Sequence, residues 1–326
     1  MKETHILTQA NIPDSSHWVL AYYHFHLIQD PQQEVKTHKA FFSGRDVTCR
    51  IYISEQGING QMSAAKDDAL AYIDWMHQRA EFSEVKFKVH PYHEQVFPRI
   101  TVKYRKKLVA IDETFDLSNA GKHVSPADWK RMLETMPDKI LIDVRNDYEW
   151  KVGRFTGAEL PPCETFREFA DYADSLKEKA DLQKTPIMMY CTGGIRCELY
   201  SSILKEKGFE KIYQLDGGVI GYGLEQGNQH WDGKLFVFDD RMAIPISDQG
   251  ESKVIGTCHH CSAPNEAYYN CANMDCNLLF LCCQVCIKEH KGCCCTTCME
   301  SPRLRPFHEE TAHKPFKRWY HYPHVN

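Results

Sequence analysis

Cys191 stands where an apolar segment gives way to a glycine-rich loop. Residues 186–190 (PIMMY) predict a buried strand, and residues 197–207 predict a helix that Gly208 ends. Glycines let the intervening backbone N–H groups turn toward the sulfur, and the positive end of the helix adds to the same field. Both effects lower the pKa of a thiol, so the loop predicts a thiolate nucleophile rather than a buried structural cysteine. The cradle comprises Thr192, Gly193, Gly194 and Ile195.

Two further residues bear on this chemistry. Arg196 ends the loop, and its guanidinium is expected to close the cradle around an anionic substrate or intermediate. Cys197 follows directly, so it is either a second thiol that resolves an oxidised sulfur or simply a small residue on the first helical turn.

The elements around the loop alternate in type. Ser125, Pro126 and Asp128 form a helix start, while residues 139–144 and 211–215 predict short apolar strands. A helical stripe lies between them and consists of Phe166, Phe169, Ala170, Ala173 and Leu176. Alternating strands and helices predict a parallel sheet that helices cover on both faces.

The chain before residue 118 has a different pattern. An aromatic strand at residues 18–28 precedes a helical stretch to residue 45 and a strand at residues 47–53. The turn Glu55-Gln-Gly-Ile-Asn-Gly60 is predicted to lead to a short strand, followed by a helix over residues 66–79 and strands at 85–90 and 99–104. The order β-α-β-β-α-β predicts a ferredoxin-like, acylphosphatase-like α+β domain.

Length and composition fit an ordinary soluble protein of several domains. The chain has 326 residues with 43% hydrophobic and 25% charged residues, which favours two or three domains. We expect an α+β domain at residues 1–118, an α/β domain at 119–228 and a Cys-rich region at 229–326. No segment reaches the ~18 apolar residues of a membrane span, and no secretory h-region is present. A cytoplasmic protein without a membrane partner is therefore expected.

The net charge of −5 does not suggest nucleic acid, but one stretch does. Residues 84–107 contain seven basic and two acidic residues, with Tyr92, Phe97 and Tyr104 between them. Cations with aromatic neighbours can bind RNA phosphates and bases, although a solvated strand face would have the same pattern. The candidate RNA-binding residues are Lys86, Lys88, Arg99, Lys103, Arg105, Lys106 and Lys107.

Eleven of the fifteen cysteines lie between Cys258 and Cys298. Three Cys-x2-Cys pairs are typical of tetrahedral zinc sites, in which a two-residue spacer lets both sulfurs reach one ion. We hypothesise two zinc ions. Cys258, Cys261, Cys283 and Cys286 would form one site, and Cys271, Cys276, Cys294 or Cys295, and Cys298 the other. An iron–sulfur cluster, disulfides after air oxidation, or unmetalled thiols are the alternatives. His259 and His260 are more typical of exposed turn residues than of ligands.

The central region resembles rhodanese domains, which carry sulfur as a cysteine persulfide. The similarity rests on residues 142–150 (IDVRNDYEW), 153–158 (GRFTGA), the Cys191 loop and residues 215–218 (LDGG). The six-residue loop Cys-x4-Arg goes with sulfur chemistry in these families, whereas cysteine-dependent phosphatases use Cys-x5-Arg, so a phosphatase is disfavoured. The resemblance implies that Arg145 and Glu149 form an ion pair beside the loop and that Asp143 orders the strand end.

The whole chain resembles the bacterial tRNA uridine hydroxylase family. Residues 55–60 (EQGING), 143–149 (DVRNDYE), 191–198 (CTGGIRCE) and the Cys-rich C-terminus carry the similarity, with Val144 where the family usually has threonine. It implies oxygen-dependent conversion of the wobble uridine in a tRNA anticodon loop to 5-hydroxyuridine, with O2 as co-substrate and Cys191 as the rhodanese cysteine.

The sequence does not itself explain how oxygen is activated. It contains no convincing Gly-x-Gly-x-x-Gly nucleotide motif and no start of a facial iron triad. One hypothesis is that Cys191, as thiolate or persulfide, adds to C6 of uridine and makes C5 electron-rich. The alternatives are a sulfurtransferase that moves persulfide sulfur from a donor protein to RNA or a partner, and a non-enzymatic, metal-dependent interaction module.

Overall fold

The computed structural model describes residues 6–7, 16–108, 119–161 and 168–308. Its N-terminal sheet has the strand order β1-β5-β2-β4-β3-β6, and two helices cross between strands. The order β2-α1-β3-β4-α2-β5 confirms the predicted ferredoxin-like unit. The elements are β1 (Ile6–Leu7), β2 (His17–Phe25), α1 (Pro31–Phe42), β3 (Val47–Ser54), β4 (Gly57–Ala65), α2 (Lys66–His77), β5 (Phe87–Tyr92) and β6 (Ile100–Tyr104).

The two faces of this sheet differ in polarity. Alternate residues such as Leu20, Ile51 and Met62 are fully buried in a core to which α1 and α2 contribute Phe42 and Tyr72. The residues between them on the strands face the opposite side, toward the central domain. That face carries Tyr23, Arg50, Tyr52, Asn59 and Gln61.

The turn predicted at residues 55–60 is shorter than expected and the strand that follows it is longer. β4 begins at Gly57, so Asn59 and Gly60 lie within a nine-residue strand, and only Glu55 and Gln56 connect β3 to β4. Gly57 makes this tight hairpin feasible because its φ is +138° and a Cβ there would lie 2.0 Å from the carbonyl oxygen of His24.

The central domain contains the predicted parallel sheet, in the order β7-β11-β10-β8. Ile142 and Met189 face a core below α5 and α6, while Leu141 and Met188 face another below α3 and α7. Phe166 and Cys163 lie outside the described residues. The elements are β7 (Lys122–Val124), α3 (Pro126–Thr135), β8 (Ile140–Asp143), α4 (Asp147–Trp150), β9 (Gly153–Phe155), α5 (Phe169–Ser175), β10 (Ile187–Tyr190), α6 (Ile195–Glu206), β11 (Ile212–Leu215) and α7 (Gly218–Gln226).

The C-terminal region is built from very short elements. β12 pairs antiparallel with β9, and Val152, Phe236, Tyr268 and Leu281 form a small apolar cluster at this junction. Beyond it, buried cysteines make up most of the core. No helix in the described ranges is long and apolar enough to cross a membrane. The elements are β12 (Trp231–Gly233), β13 (Leu235–Phe236), β14 (Ala243–Ile244), β15 (Tyr268–Asn270), β16 (Leu279–Leu281), α8 (Gln284–Glu289) and α9 (Thr296–Met299).

Candidate active site and metal centres

Cys191 lies directly after β10 and is fully buried beneath its loop. The backbone N–H of Gly194 donates a hydrogen bond to the Cys191 sulfur over 3.1 Å. Gly194 has a φ of +105°, and a Cβ there would lie 2.9 Å from the hydroxyl of Tyr23, so both conformation and space favour glycine. α6 begins at Ile195, two residues earlier than predicted, which places Arg196 and Cys197 in its first turn.

The environment of Cys191 stabilises its thiolate. Burial raises the pKa of the Cys191 thiol, but a hydrogen bond from Cys197, the charge of Arg196 and the backbone N–H groups of both residues outweigh it. The pKa of Cys191 is thereby lowered to about 6. Burial and the neighbouring thiolate raise the pKa of Cys197. Its thiol therefore stays protonated and donates a hydrogen bond to the Cys191 sulfur.

Arg196, which was predicted to close the cradle, lines the cavity and is paired with a carboxylate. Its Nη1 and Nη2 donate to Oε2 and Oε1 of Glu149 over 2.5 and 2.7 Å, and Thr192 Oγ1 donates to Oε1 over 3.1 Å. The Glu149 carboxylate is fully buried, and α4 positions it through a capping box with Asn146. Burial raises the pKa of Glu149, but the charge of Arg196 and its hydrogen bonds prevail and lower it.

The expected ion pair between Arg145 and Glu149 is wrong. Arg145 instead pairs with Asp143, to which its Nε and Nη2 donate over 2.8 and 2.6 Å, and both side chains are fully buried. The hydroxyl of Tyr190 also donates to Asp143 over 2.8 Å. The two carboxylates thus have different arginines, because Asp143 lies two residues from Arg145 whereas Glu149 faces the first turn of α6.

The start of α7 holds the loop from the other side. The N–H groups of Val219 and Ile220 donate to the carbonyl oxygens of Cys191 and Thr192 over 3.0 and 3.1 Å. Gly218 permits this approach, since a Cβ there would lie 2.7 Å from both of these oxygens. These bonds turn the loop carbonyls away from the sulfur and leave N–H groups facing it.

Sequence reasoning missed the contribution of the N-terminal domain. Lys88 on β5 is buried, and its Nζ donates to the carbonyl oxygen of Gly193 over 2.9 Å. Burial is the main cause that lowers the pKa of Lys88 to about 8. Tyr23 on β2 donates to Glu198 over 3.0 Å. The sequence held no signal for this role, since a lysine between Phe87 and Val89 is also the ordinary alternation of a strand with one solvated face.

The basic stretch is accordingly divided. Lys88 faces the active-site loop and Lys86 pairs with Asp216, so neither is a free phosphate ligand. Lys103 and Arg105 are exposed near the edge strand β6, and the guanidinium of Arg105 lies 5.1 Å from the ring centre of Tyr52. Of the other candidate RNA-binding residues, Arg99 and Lys106 are exposed and Lys107 is partly buried.

A cavity of about 330 Å³ separates the polar sheet face from the Cys191 loop. The central domain contributes Cys191, Arg196 and Tyr148, and the N-terminal domain contributes Asn59 and Gln61. This volume falls in the roughly 300–1,000 Å³ range of small-ligand sites.

Eight C-terminal cysteines form two groups of four. Within each group, all four sulfurs lie within 4.8 Å of one another. Neighbouring sulfurs are 3.7–3.8 Å apart. Zinc–sulfur bonds of about 2.3 Å in a tetrahedron put sulfurs about 3.8 Å apart, so each group fits a single ion. Cys294 rather than Cys295 belongs to the second group. The groups are Cys258, Cys261, Cys283 and Cys286, and Cys271, Cys276, Cys294 and Cys298.

Tyr268 links the cysteine region to the active site. The hydroxyl of Tyr268 donates to the carbonyl oxygen of Tyr148 on α4, the helix that also carries Glu149. The His260 ring belongs to neither cysteine group: its Nε2 donates to the carbonyl oxygen of Cys293 over 3.1 Å, and it stacks on His290 with ring centres 3.7 Å apart.

Comparison with known proteins agrees with this architecture. An acylphosphatase-like UPF0176 domain matches residues 17–108, a rhodanese-like domain residues 125–224, and a rhodanase C-terminal domain residues 232–299. The molecule is thus a rhodanese-domain protein with an acylphosphatase-like N-terminal domain. A rhodanese-like domain from Anabaena aligns at 22% identity and a TM-score of 0.29, covering 34% of this chain and 78% of that one.

Full-length relatives identify the family. The tRNA uridine(34) hydroxylase of Protochlamydia amoebophila is 61% identical, covering 95% of this chain and 96% of the relative. Those of Chlamydia felis and Chlamydia trachomatis are 56% and 54% identical, covering 93% and 94% of this chain and 93% of each relative. The chain belongs to the tRNA uridine(34) hydroxylase family.

Proposed function

We propose that this protein hydroxylates C5 of the wobble uridine of tRNA, with O2 as co-substrate. The names of relatives that are 54–61% identical over most of the chain support this activity. The observation that carries the proposal is the buried Cys191, whose pKa is lowered to about 6 and whose loop lines a cavity between two domains. A wobble uridine is unpaired in the anticodon loop, so its base can enter such a cavity.

The proposed chemistry begins with a bond from the Cys191 thiolate to C6 of uracil. The C5–C6 π electrons move onto O4 as an enolate, which the nearby ammonium of Lys88 stabilises. C5 of the enolate then forms a bond to molecular oxygen, and protonation of the resulting peroxide gives a C5 hydroperoxide. Two thiol equivalents reduce its O–O bond, which yields water, a disulfide and a C5 hydroxyl. Loss of the C5 proton expels the Cys191 thiolate and restores the double bond.

The test is nucleoside mass spectrometry of tRNA from cells that lack their own enzyme and express Cys191→Ser. We expect 5-hydroxyuridine to disappear, while the exposed Cys295→Ser serves as the matched control and retains it. Full 5-hydroxyuridine formation by Cys191→Ser contradicts the proposal. Strong thiosulfate:cyanide turnover without 5-hydroxyuridine would favour the sulfurtransferase instead.

We further propose that the two cysteine groups hold structural zinc. Thiolate ligands at single-ion spacing favour zinc over a polynuclear cluster, whose bridging sulfides hold ligand sulfurs further apart. The ions would supply the folding energy that so small an apolar core lacks.

A further inference from the structure

The polar face of the N-terminal sheet forms two parallel rows across its strands. Directly opposed residues on neighbouring strands point to the same face. In one row Tyr23 opposes Asn59, Asn59 opposes Tyr52, and Tyr52 opposes Lys103. The adjacent row consists of Lys88, Ala21, Gln61 and Arg50. The rows run from beneath the Cys191 loop toward the basic edge strand β6.

Two carboxamides in the middle of these rows have no side-chain partner among the described residues. Asn59 and Gln61 are half-buried, and neither side chain hydrogen-bonds to any residue in the described part of the chain. Both side chains line the cavity, so their polar atoms are open to a ligand that enters it. Together they offer two carbonyl acceptors and four N–H donors to a ligand in the cavity.

We propose that Asn59 and Gln61 hydrogen-bond the edge of the uracil base and select uridine over cytidine at the wobble position. The inference rests on the proposed tRNA activity and deepens it. Uracil presents an acceptor, a donor and an acceptor at O2, N3–H and O4, and the two carboxamides can match all three.

A carboxamide can rotate to pair with either base, so the preference for uracil over cytosine comes from the charges beside the two amides. Lys88 and Arg50 flank the second row and carry only donors. Cytosine has an N4 amine in place of the O4 acceptor and an acceptor in place of N3–H. Its amine would face the N–H donors of Lys88 and Arg50, and two donors cannot hydrogen-bond to each other. Ala21 between Lys88 and Gln61 leaves room for a planar ring.

The first row also leads out of the cavity to exposed cations. Lys103 ends it, and Arg105 lies over Tyr52 on the same edge. These cations can neutralise the phosphates beside the wobble nucleotide without reading its base. Base selectivity and general RNA affinity therefore depend on different residues of one surface. A binding experiment with variants of each set can measure the two effects separately.

The experiment measures binding of the full-length, zinc-loaded chain to anticodon stem–loops that carry either U or C at the wobble position. Working under nitrogen prevents turnover. We expect the wild type to prefer the uridine RNA by roughly 10- to 100-fold, the discrimination of a good bidentate contact. Asn59→Ala and Gln61→Ala should lose most of this preference. Lys103→Ala should weaken both RNAs equally, and Gln32→Ala, an exposed amide on α1, should change neither.

The outcomes separate the two proposals. A wild-type chain that binds neither RNA contradicts the proposed tRNA activity. A wild-type preference that survives intact in both Ala variants overturns only the assignment of Asn59 and Gln61. The isosteric Gln61→Glu keeps the side-chain volume and removes the N–H donors, so it should also lose the preference. It provides the test if the Ala variant does not fold.

Discussion

The ammonium of Lys88, in the N-terminal domain, donates to the carbonyl oxygen of Gly193 in the active-site loop of the central domain over 2.9 Å. The bond joins residues 105 positions apart and brings a buried positive charge close enough to Cys191 for the two to influence each other's ionisation. We therefore expect the reactivity of the thiol to depend on how the two domains are packed.

Replacing Lys88 tests this dependence. Lys88→Met keeps much of the aliphatic stem but removes the charge, so we expect the pKa of Cys191 to rise above about 6. The pH profile of iodoacetamide alkylation measures the shift. Lys86→Met is the matched control, because its exposed ammonium pairs with Asp216 on the surface, and its profile should match the wild type. An unchanged profile for Lys88→Met would show that the charge does not act on the sulfur.

The same pair predicts the pH dependence of activity. Cys191 gains its negative charge as pH rises through about 6, and Lys88 loses its positive charge as pH rises through about 8. Hydroxylation should therefore rise through the first value and fall through the second, giving a bell-shaped profile. In Lys88→Met the falling limb should vanish along with most of the activity. A wild-type rate that keeps rising beyond pH 9 contradicts the role of the ammonium.

Glu149 should affect stability and thiol acidity in opposite directions. Glu149→Ala leaves the buried Arg196 without its carboxylate, which should cost about 3–5 kcal/mol of unfolding free energy. The uncompensated guanidinium should also lower the pKa of Cys191 further. Urea denaturation and the alkylation profile measure the two effects. Arg131→Ala breaks the exposed pair with Asp128 and should cost under about 1 kcal/mol.

Cys197 should act on Cys191 as a hydrogen-bond donor. Cys197→Ala removes the donor and should raise the pKa of Cys191, whereas Cys197→Ser keeps a donor and should hold it near the wild-type value. Alkylation profiles of the two variants make the comparison. If both variants behave alike, the thiol acts only through packing.

Metal analysis should find two zinc ions per chain in freshly reduced protein. Cys261→Ser and Cys276→Ser each remove one ligand from a different group and should lower the zinc content, while Cys295→Ser should leave it unchanged. Fewer than one zinc per chain in the wild type contradicts the assignment.

Local patterns predicted more of the fold than of the site. Short apolar runs, helical spacing and the Ser125 cap identified strands and helices because these signals lie within a few residues. The hairpin at Gly57 was misjudged because Ile58, Asn59 and Gly60 resemble a turn until their pairing with β2 and β3 is known.

The missed features of the site are all long-range. The partner of Glu149 was misassigned because Arg145 and Arg196 both lie near the loop, and only the packing of α4 against α6 decides between them. Lys88 resembled a member of a basic surface stretch because its burial depends on a loop 105 residues away. The cysteine groups were more tractable, since Cys-x2-Cys spacing constrains ligands locally.

The ligands of the two cysteine groups alternate along the chain. The first group takes the pairs at 258/261 and 283/286, and the second takes 271/276 and 294/298. The segment that an ion in the first group would close therefore contains half of the second group, and an ion in the second group would in turn enclose half of the first. If both groups bind an ion, neither can mature as a separate folding unit during synthesis. A single break between Cys276 and Cys283 divides both groups between two fragments, so each fragment alone holds only half of the ligands of either group.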